Sequence, residues 1–252
     1  MDRILIYSLP RTGSTSLTEA FNSLGYVNFS EAFVPEKTFR IKFLPNYGNI
    51  TADYYLPKDV KYFKEHLEKL DRIFENIHRP EKQVYKMFVD WHHYYKDQPE
   101  YHEFADKSHR ILLFRLDPME MYLSHALTRE VPTLTNKKIK VKLDFEVEKH
   151  GLRCLEHAIN NIKFDTVILS EHFWFDEMYK KKFFELYKTN LIHDHIENPS
   201  DLKRKLILNY KSIEDQVYKE GLLLHYNKIT TLLKRKIIEN KSNLIGDIHV
   251  LK

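Results

Sequence analysis

A chain of 252 residues with 42% hydrophobic content can bury a sizeable core, and it fits one large domain over 1–252 better than two. The net charge is only +4, with Lys/Arg interleaved with Asp/Glu; this argues against a dedicated nucleic-acid binder but allows a local basic pocket for one anionic ligand. A single cysteine, Cys154, excludes an internal disulfide and a cysteine zinc site. It falls in the helical pattern of Leu152, Leu155, Ala158 and Ile159, as a small core residue does. No apolar run approaches the roughly 18–20 residues of a membrane span and no signal peptide precedes the first strand, so a cytoplasmic protein is expected.

Arg3–Ser8 reads as a buried strand, followed by a tight turn. Leu17, Ala20, Phe21 and Leu24 then fall at i, i+3, i+4, i+7, the apolar stripe of a helix that Gly25 closes. Tyr26–Phe29 is a short second strand. Pro35 to Pro57 lacks clear periodicity and reads as a long lid or binding loop. Val60, Phe63, Leu67, Leu70, Phe74 and Ile77 make a core-facing amphipathic helix; a dimerising seam is the alternative, so a homodimer stays open. Gln83–Val89 is strand three, and Trp91-His92-His93-Tyr94-Tyr95 after it reads as a surface loop whose aromatic faces could line an acceptor pocket.

Arg110–Leu116 is a nearly continuous apolar run, suited to a central parallel strand. Asp117-Pro118 supplies an N-cap and a first-turn proline, and Met119, Leu123, Ala126 and Leu127 share one helical face. Lys137–Lys142 is a basic surface stretch, Phe145–Ile162 a helix and Thr166–Ser170 strand five. The rest reads as mainly helical and charged, including Ser200–Glu220 and a basic helix near Thr230–Asn240. Strands alternating with helices predict an α/β, P-loop-like three-layer fold with a mostly parallel central sheet and helices on both faces.

The turn after strand one holds Arg11, Thr12, Gly13, Ser14, Thr15 and Ser16. Backbone N–H groups at a helix N-terminus, helped by hydroxyls and a cation, form an anion site. A nucleoside-triphosphate P-loop needs a lysine after its second glycine. Here Ser14 follows Gly13, and the cation, Arg11, precedes the glycine. An arginine there can grip a phosphate bidentately without a metal; a Ser/Thr-rich helix cap is the plain alternative.

A second constellation is Arg115 at the end of strand four and Ser124 about two turns into the next helix. Ligands of doubly wound sheets bind at the C-terminal strand ends, so this pair can hold a second anion. Two phosphate sites imply a ligand such as a 3′,5′-bisphosphorylated nucleoside. The alternative is a strand-end salt bridge and a helix-face serine. Lys86, inside Val84-Tyr85-Lys86-Met87-Phe88, reads as an edge-facing or snorkelling lysine, with a contact to donor or acceptor as the alternative. A catalytic His92 is the less favoured reading of its segment, and His193-Asp194-His195 lacks a third metal ligand. No metal site is expected.

Pro10-Arg11-Thr12-Gly13-Ser14-Thr15-Ser16-Leu17 resembles the 5′-phosphosulfate loop of sulfotransferases, and Arg115-Leu116-Asp117…Ser124 resembles their 3′-phosphate motif. Phe29-Ser30-Glu31-Ala32-Phe33, Ile196-Glu197-Asn198-Pro199 and Asn209-Tyr210 are most similar to bacterial and phage-type members related to the trehalose sulfotransferase. The resemblance implies 3′-phosphoadenosine 5′-phosphosulfate (PAPS) as donor. It gives Arg11 the stabilisation of the leaving phosphate and Glu31 the role of base toward a small-molecule or glycan acceptor. The Gly-x-x-Gly-x-x-Lys segment of the animal cytosolic enzymes is absent from the C-terminal half, where Lys203-Arg204-Lys205 could help hold the 3′-phosphate. The rival readings are a nucleotide-binding kinase-like protein, a non-catalytic phosphate-binding relative, and an interaction protein working through the Val60–Ile77 helix.

Overall fold

The computed structural model describes residues 2–29, 32–33, 39–41, 52–54, 62–76, 79–130, 138–187 and 206–251. Strand β1 (Arg3–Ser8) leads through helix α1 (Ser14–Ser23) to the short β2 (Val27–Asn28). Two three-residue strands, β3 (Phe39–Ile41) and β4 (Ala52–Tyr54), pair antiparallel apart from the main sheet. Next come α2 (Phe63–Asn76), β5 (Gln83–Phe88), α3 (Val89–Tyr95), α4 (Pro99–Asp106), β6 (His109–Phe114), α5 (Pro118–Glu130) and α6 (Phe145–Asn161). The chain continues through β7 (Thr166–Leu169), α7 (Ser170–Phe175) and α8 (Glu177–Tyr187). Helices Tyr210–Lys219 and Leu222–Asn240 precede β8 (Asn243–Ile245).

Among the described residues the central sheet has six strands in the order β2-β5-β1-β6-β7-β8, and every pairing is parallel. Side chains alternate between its faces. On one face Ile4, Ile6, Val84, Ile111 and Ile168 pack with Leu17 and Phe21 of α1, Phe173 of α7 and Phe183 of α8. On the other, Leu5, Tyr7, Tyr85, Leu112 and Phe114 pack against α2 to α6 and the two C-terminal helices. Each such side chain contributes about 1.5–3 kcal/mol by leaving water. The result is a three-layer α/β fold.

Topology places a crevice. From β1 the chain moves outward to β2, and from β6 it moves the opposite way to β7. The C-terminal ends of the neighbouring β1 and β6 therefore form a switch point, where an open α/β sheet leaves room for a ligand. Asp117 caps α5 there: its Oδ1 accepts the Glu120 N–H at 3.1 Å, with Pro118 as the first helical residue.

Several expectations need correction. Trp91–Tyr95 is not a loop but part of α3, whose Val89, His92 and Tyr95 are buried at intervals of three. Its two turns are too short to show a sustained period. The segment Pro35–Pro57 contains β3 and β4; the rest of it lies outside the described residues. Strand β8 was not anticipated, because three residues carry no readable alternation. Ser30, Glu31, His193-Asp194-His195, Ile196-Glu197-Asn198-Pro199 and Lys203-Arg204-Lys205 also lie outside the described residues. Cys154 is buried in the core, as its pattern implies, and burial pushes its thiol up to about 11. No described helix is long and apolar enough to cross a membrane.

Candidate functional site

Strand β1 ends at Ser8, and two of the next residues adopt left-handed backbone: Arg11 at φ 65° and Gly13 at φ 90°. For the arginine this costs on the order of 1–2 kcal/mol, so surrounding contacts must impose it. Three do. The Thr12 hydroxyl donates to Leu9 O at 2.9 Å, the Ser170 hydroxyl donates to Thr12 O at 2.9 Å, and an Arg115 Nη donates to Arg11 O at 2.9 Å. Gly13 is required sterically as well, because a Cβ there would come within 2.9 Å of the Trp174 indole nitrogen.

Gly13 is also the N-cap of α1, and it offers no side-chain acceptor to the first-turn N–H groups. That turn carries no acidic residue. Its partial positive charge is therefore available to an anion from outside the helix.

The cations of the site converge on this turn. Arg11 is exposed, and its Nε donates to Ser124 Oγ at 3.1 Å. Lys86 Nζ donates to the Thr15 hydroxyl at 3.2 Å. The structure thus brings together Arg11, the Thr12–Ser16 turn, Lys86, Ser124 and Arg115. The edge-facing reading of Lys86 is corrected: it is 3% exposed, and β5 lies inside the sheet between β2 and β1. Its alternation puts it on the face covered by α1, which aims the ammonium at Thr15.

Arg115 is buried just beyond β6, and besides holding Arg11 O it places Nε 3.4 Å from Glu171 Oε1. The Glu171 carboxylate also accepts the N–H groups of Leu116 at 2.7 Å and Asp117 at 3.1 Å. The Tyr226 hydroxyl donates to Arg115 O. Arg115 thus forms the strand-end ion pair that one of its two readings expects.

Ser170 and Glu171 were missed as parts of the loop's support. The available signal was position, since they follow β7 directly at the same sheet edge. A further neighbour is Asp90, in the first turn of α3. It lines a small cavity of about 60 Å³ with Leu9, Pro10, Met121, Tyr122 and His125. Burial raises the Asp90 carboxyl above its ordinary range, and His125 Nδ1 lies 2.6 Å from Glu148 Oε1.

His92 does not join this group. Its Nδ1 lies 2.7 Å from the Tyr101 hydroxyl, and its ring packs beside Tyr7 and His157. Compared with family models, curated proteins and solved structures, the chain has no match in any of the three.

Proposed function

We propose that the chain is an enzyme, a sulfotransferase that moves a sulfuryl group from PAPS to a hydroxyl or amine of a small-molecule or glycan acceptor. The observation that carries this reading is the Arg11–Ser124 hydrogen bond, which puts the two phosphate motifs in contact at the switch point. A serine stands where a nucleoside-triphosphate loop needs its lysine, which disfavours a kinase-like reading.

In this proposal the first turn of α1 and Arg11 hold the 5′-phosphosulfate, while Ser124 and the neighbourhood of Arg115 take the 3′-phosphate. In the Arg11–Ser124 hydrogen bond only the guanidinium is charged, whereas a phosphate offers it opposite charge and a bidentate geometry, so a phosphate draws the guanidinium off the serine. PAPS supplies an activated sulfur. The acceptor oxygen forms a bond to that sulfur as the bridging S–O bond to the 5′-phosphate breaks, and the electron pair stays on the phosphate. Arg11, Lys86 and the first-turn N–H groups stabilise that charge. Glu31 receives the acceptor's proton, a role that rests on the family resemblance alone.

Calorimetric titration with 3′,5′-bisphosphoadenosine tests the reading. The expected result is saturable binding that weakens at least about tenfold, roughly 1.4 kcal/mol, in Arg11→Ala. Undiminished binding by that variant contradicts the assignment.

A further inference from the structure

Helices α3 and α6 meet along a seam of histidines. His92 and His93 come from α3, and His150 and His157, on one face of α6, come from the other side. Between ring centroids, His93 lies 5.2 Å from His157 and 6.3 Å from His150, nearly perpendicular to both, and His92 lies 5.6 Å from His157. Among the described residues none of these four rings has a carboxylate within ion-pair distance, whereas His125 meets Glu148 and His225 meets Glu156. No group of three or more His, Cys, Asp or Glu residues among those described is arranged to hold a metal ion.

Two of the rings have no place for a second proton. Nδ1 of His93 and Nδ1 of His157 are buried without a hydrogen-bond partner. A neutral imidazole can leave such a nitrogen bare and carry its proton on Nε2, but an imidazolium carries protons on both. Charging either ring would therefore bury an N–H with no acceptor and set like charges across the seam. Burial, then His157, Lys96 and His150, hold the His93 imidazole below its usual range, with Asp97 opposing. An opened seam binds protons more readily than a closed one, so falling pH favours opening. His92, pushed down to about 3 by burial, stays neutral through this change.

The surrounding charges do not cancel the effect. Lys96 at the end of α3 pairs with Asp97 at 2.6 Å, and Arg110 of β6 pairs with Asp106 of α4 at 3.0 Å, so these acids are already matched. His102 of α4 adds another ring that charges on acidification, and Arg153 of α6 adds a cation. Asp90, in the first turn of α3, interacts with His150, but burial raises its carboxyl toward the neutral form. Cys154 of α6 places Sγ 3.4 Å from His150 Nε2 and brings no charge, since burial pushes its thiol up to about 11.

Both helices lead to the loop after β1. Helix α3 follows β5 without a break, and β5 aims Lys86 at Thr15. On α6, Gly151 packs so closely that a Cβ there would lie 3.3 Å from Leu9 Cδ2, and Leu9 O accepts from the Thr12 hydroxyl.

We propose that the α3–α6 seam is a proton-operated latch: charging His93, His150 and His157 parts α3 from α6 while the central sheet stays folded. The latch is a property of the fold and does not rest on the sulfotransferase reading.

Hydrogen exchange of the full chain at about pH 7.5 and about pH 5.5 tests it, read as protection factors so that the intrinsic pH dependence of exchange cancels. Amides of α3 and α6 are expected to lose about tenfold more protection on acidification than those of β1 and β6. His93→Gln combined with His157→Gln should abolish that difference. His150→Gln, at an exposed position, should reduce it severalfold and keeps the test open if the double variant does not fold. Equal loss in sheet and helices, as global unfolding gives, or an undiminished α3–α6 loss in either variant, would overturn the proposal.

Discussion

Arg11 sits in a backbone conformation that a side chain disfavours, held there by the carbonyl contact from Arg115. Arg11→Gly removes both the strain and the guanidinium. We expect thermal stability to hold or rise while affinity for the bisphosphate falls, which separates a binding role from a structural one. Gly13→Ala has the opposite signature. It combines a φ of 90° with a close approach to Trp174, so a loss of about 1–3 kcal/mol should appear in urea unfolding. The loop was legible because its chemistry is contiguous in sequence. The role of Glu171 was not, because its partners at Arg115, Leu116 and Asp117 come from another strand and are brought near only by the parallel pairing of β6 with β7.

Elements with complete signals were read correctly from sequence. Helix α1 has its stripe and its closing Gly25, and α5 has Asp117 and Pro118 at its start. The short elements α3 and β8 were lost, since a helix of two turns and a strand of three residues are fixed by what they pack against. Lys86 shows the same limit: a lysine in an apolar run looks like an edge residue until strand order places β5 inside the sheet. Helix α5 carries Ser124 to Arg11, so its cap bears on the candidate site. Asp117→Ala should cost about 1 kcal/mol by removing the acceptor for the Glu120 N–H, measurable as a lowered urea midpoint with an unchanged slope.

At the scale of the molecule, two buried histidines couple stability to pH. Burial holds His66 down to about 4 and His92 down to about 3, against about 6.5 in an unfolded chain. Both are neutral in the native state, so the unfolded chain binds the extra protons as pH falls. Their contribution is complete above pH 6.5 and is lost below it, at about 1.4 kcal/mol per pH unit for each, levelling off only near the folded values. Asp90, whose carboxyl is raised by burial, contributes with the opposite sign. Urea midpoints should therefore fall between pH 7.5 and pH 5, and His66→Gln should flatten the fall.

The β1–β6 switch point is proposed to hold a ligand phosphorylated at both 3′ and 5′ positions. Its most direct measurement is thermal stability with matched concentrations of 3′,5′-bisphosphoadenosine, 5′-AMP and ATP–Mg. A ligand at about 100 times its Kd stabilises a native state by roughly 2.7 kcal/mol, enough to move the midpoint by several degrees. The bisphosphate is expected to give the largest shift; an equal shift with 5′-AMP, or a preference for ATP–Mg, would contradict the proposed ligand.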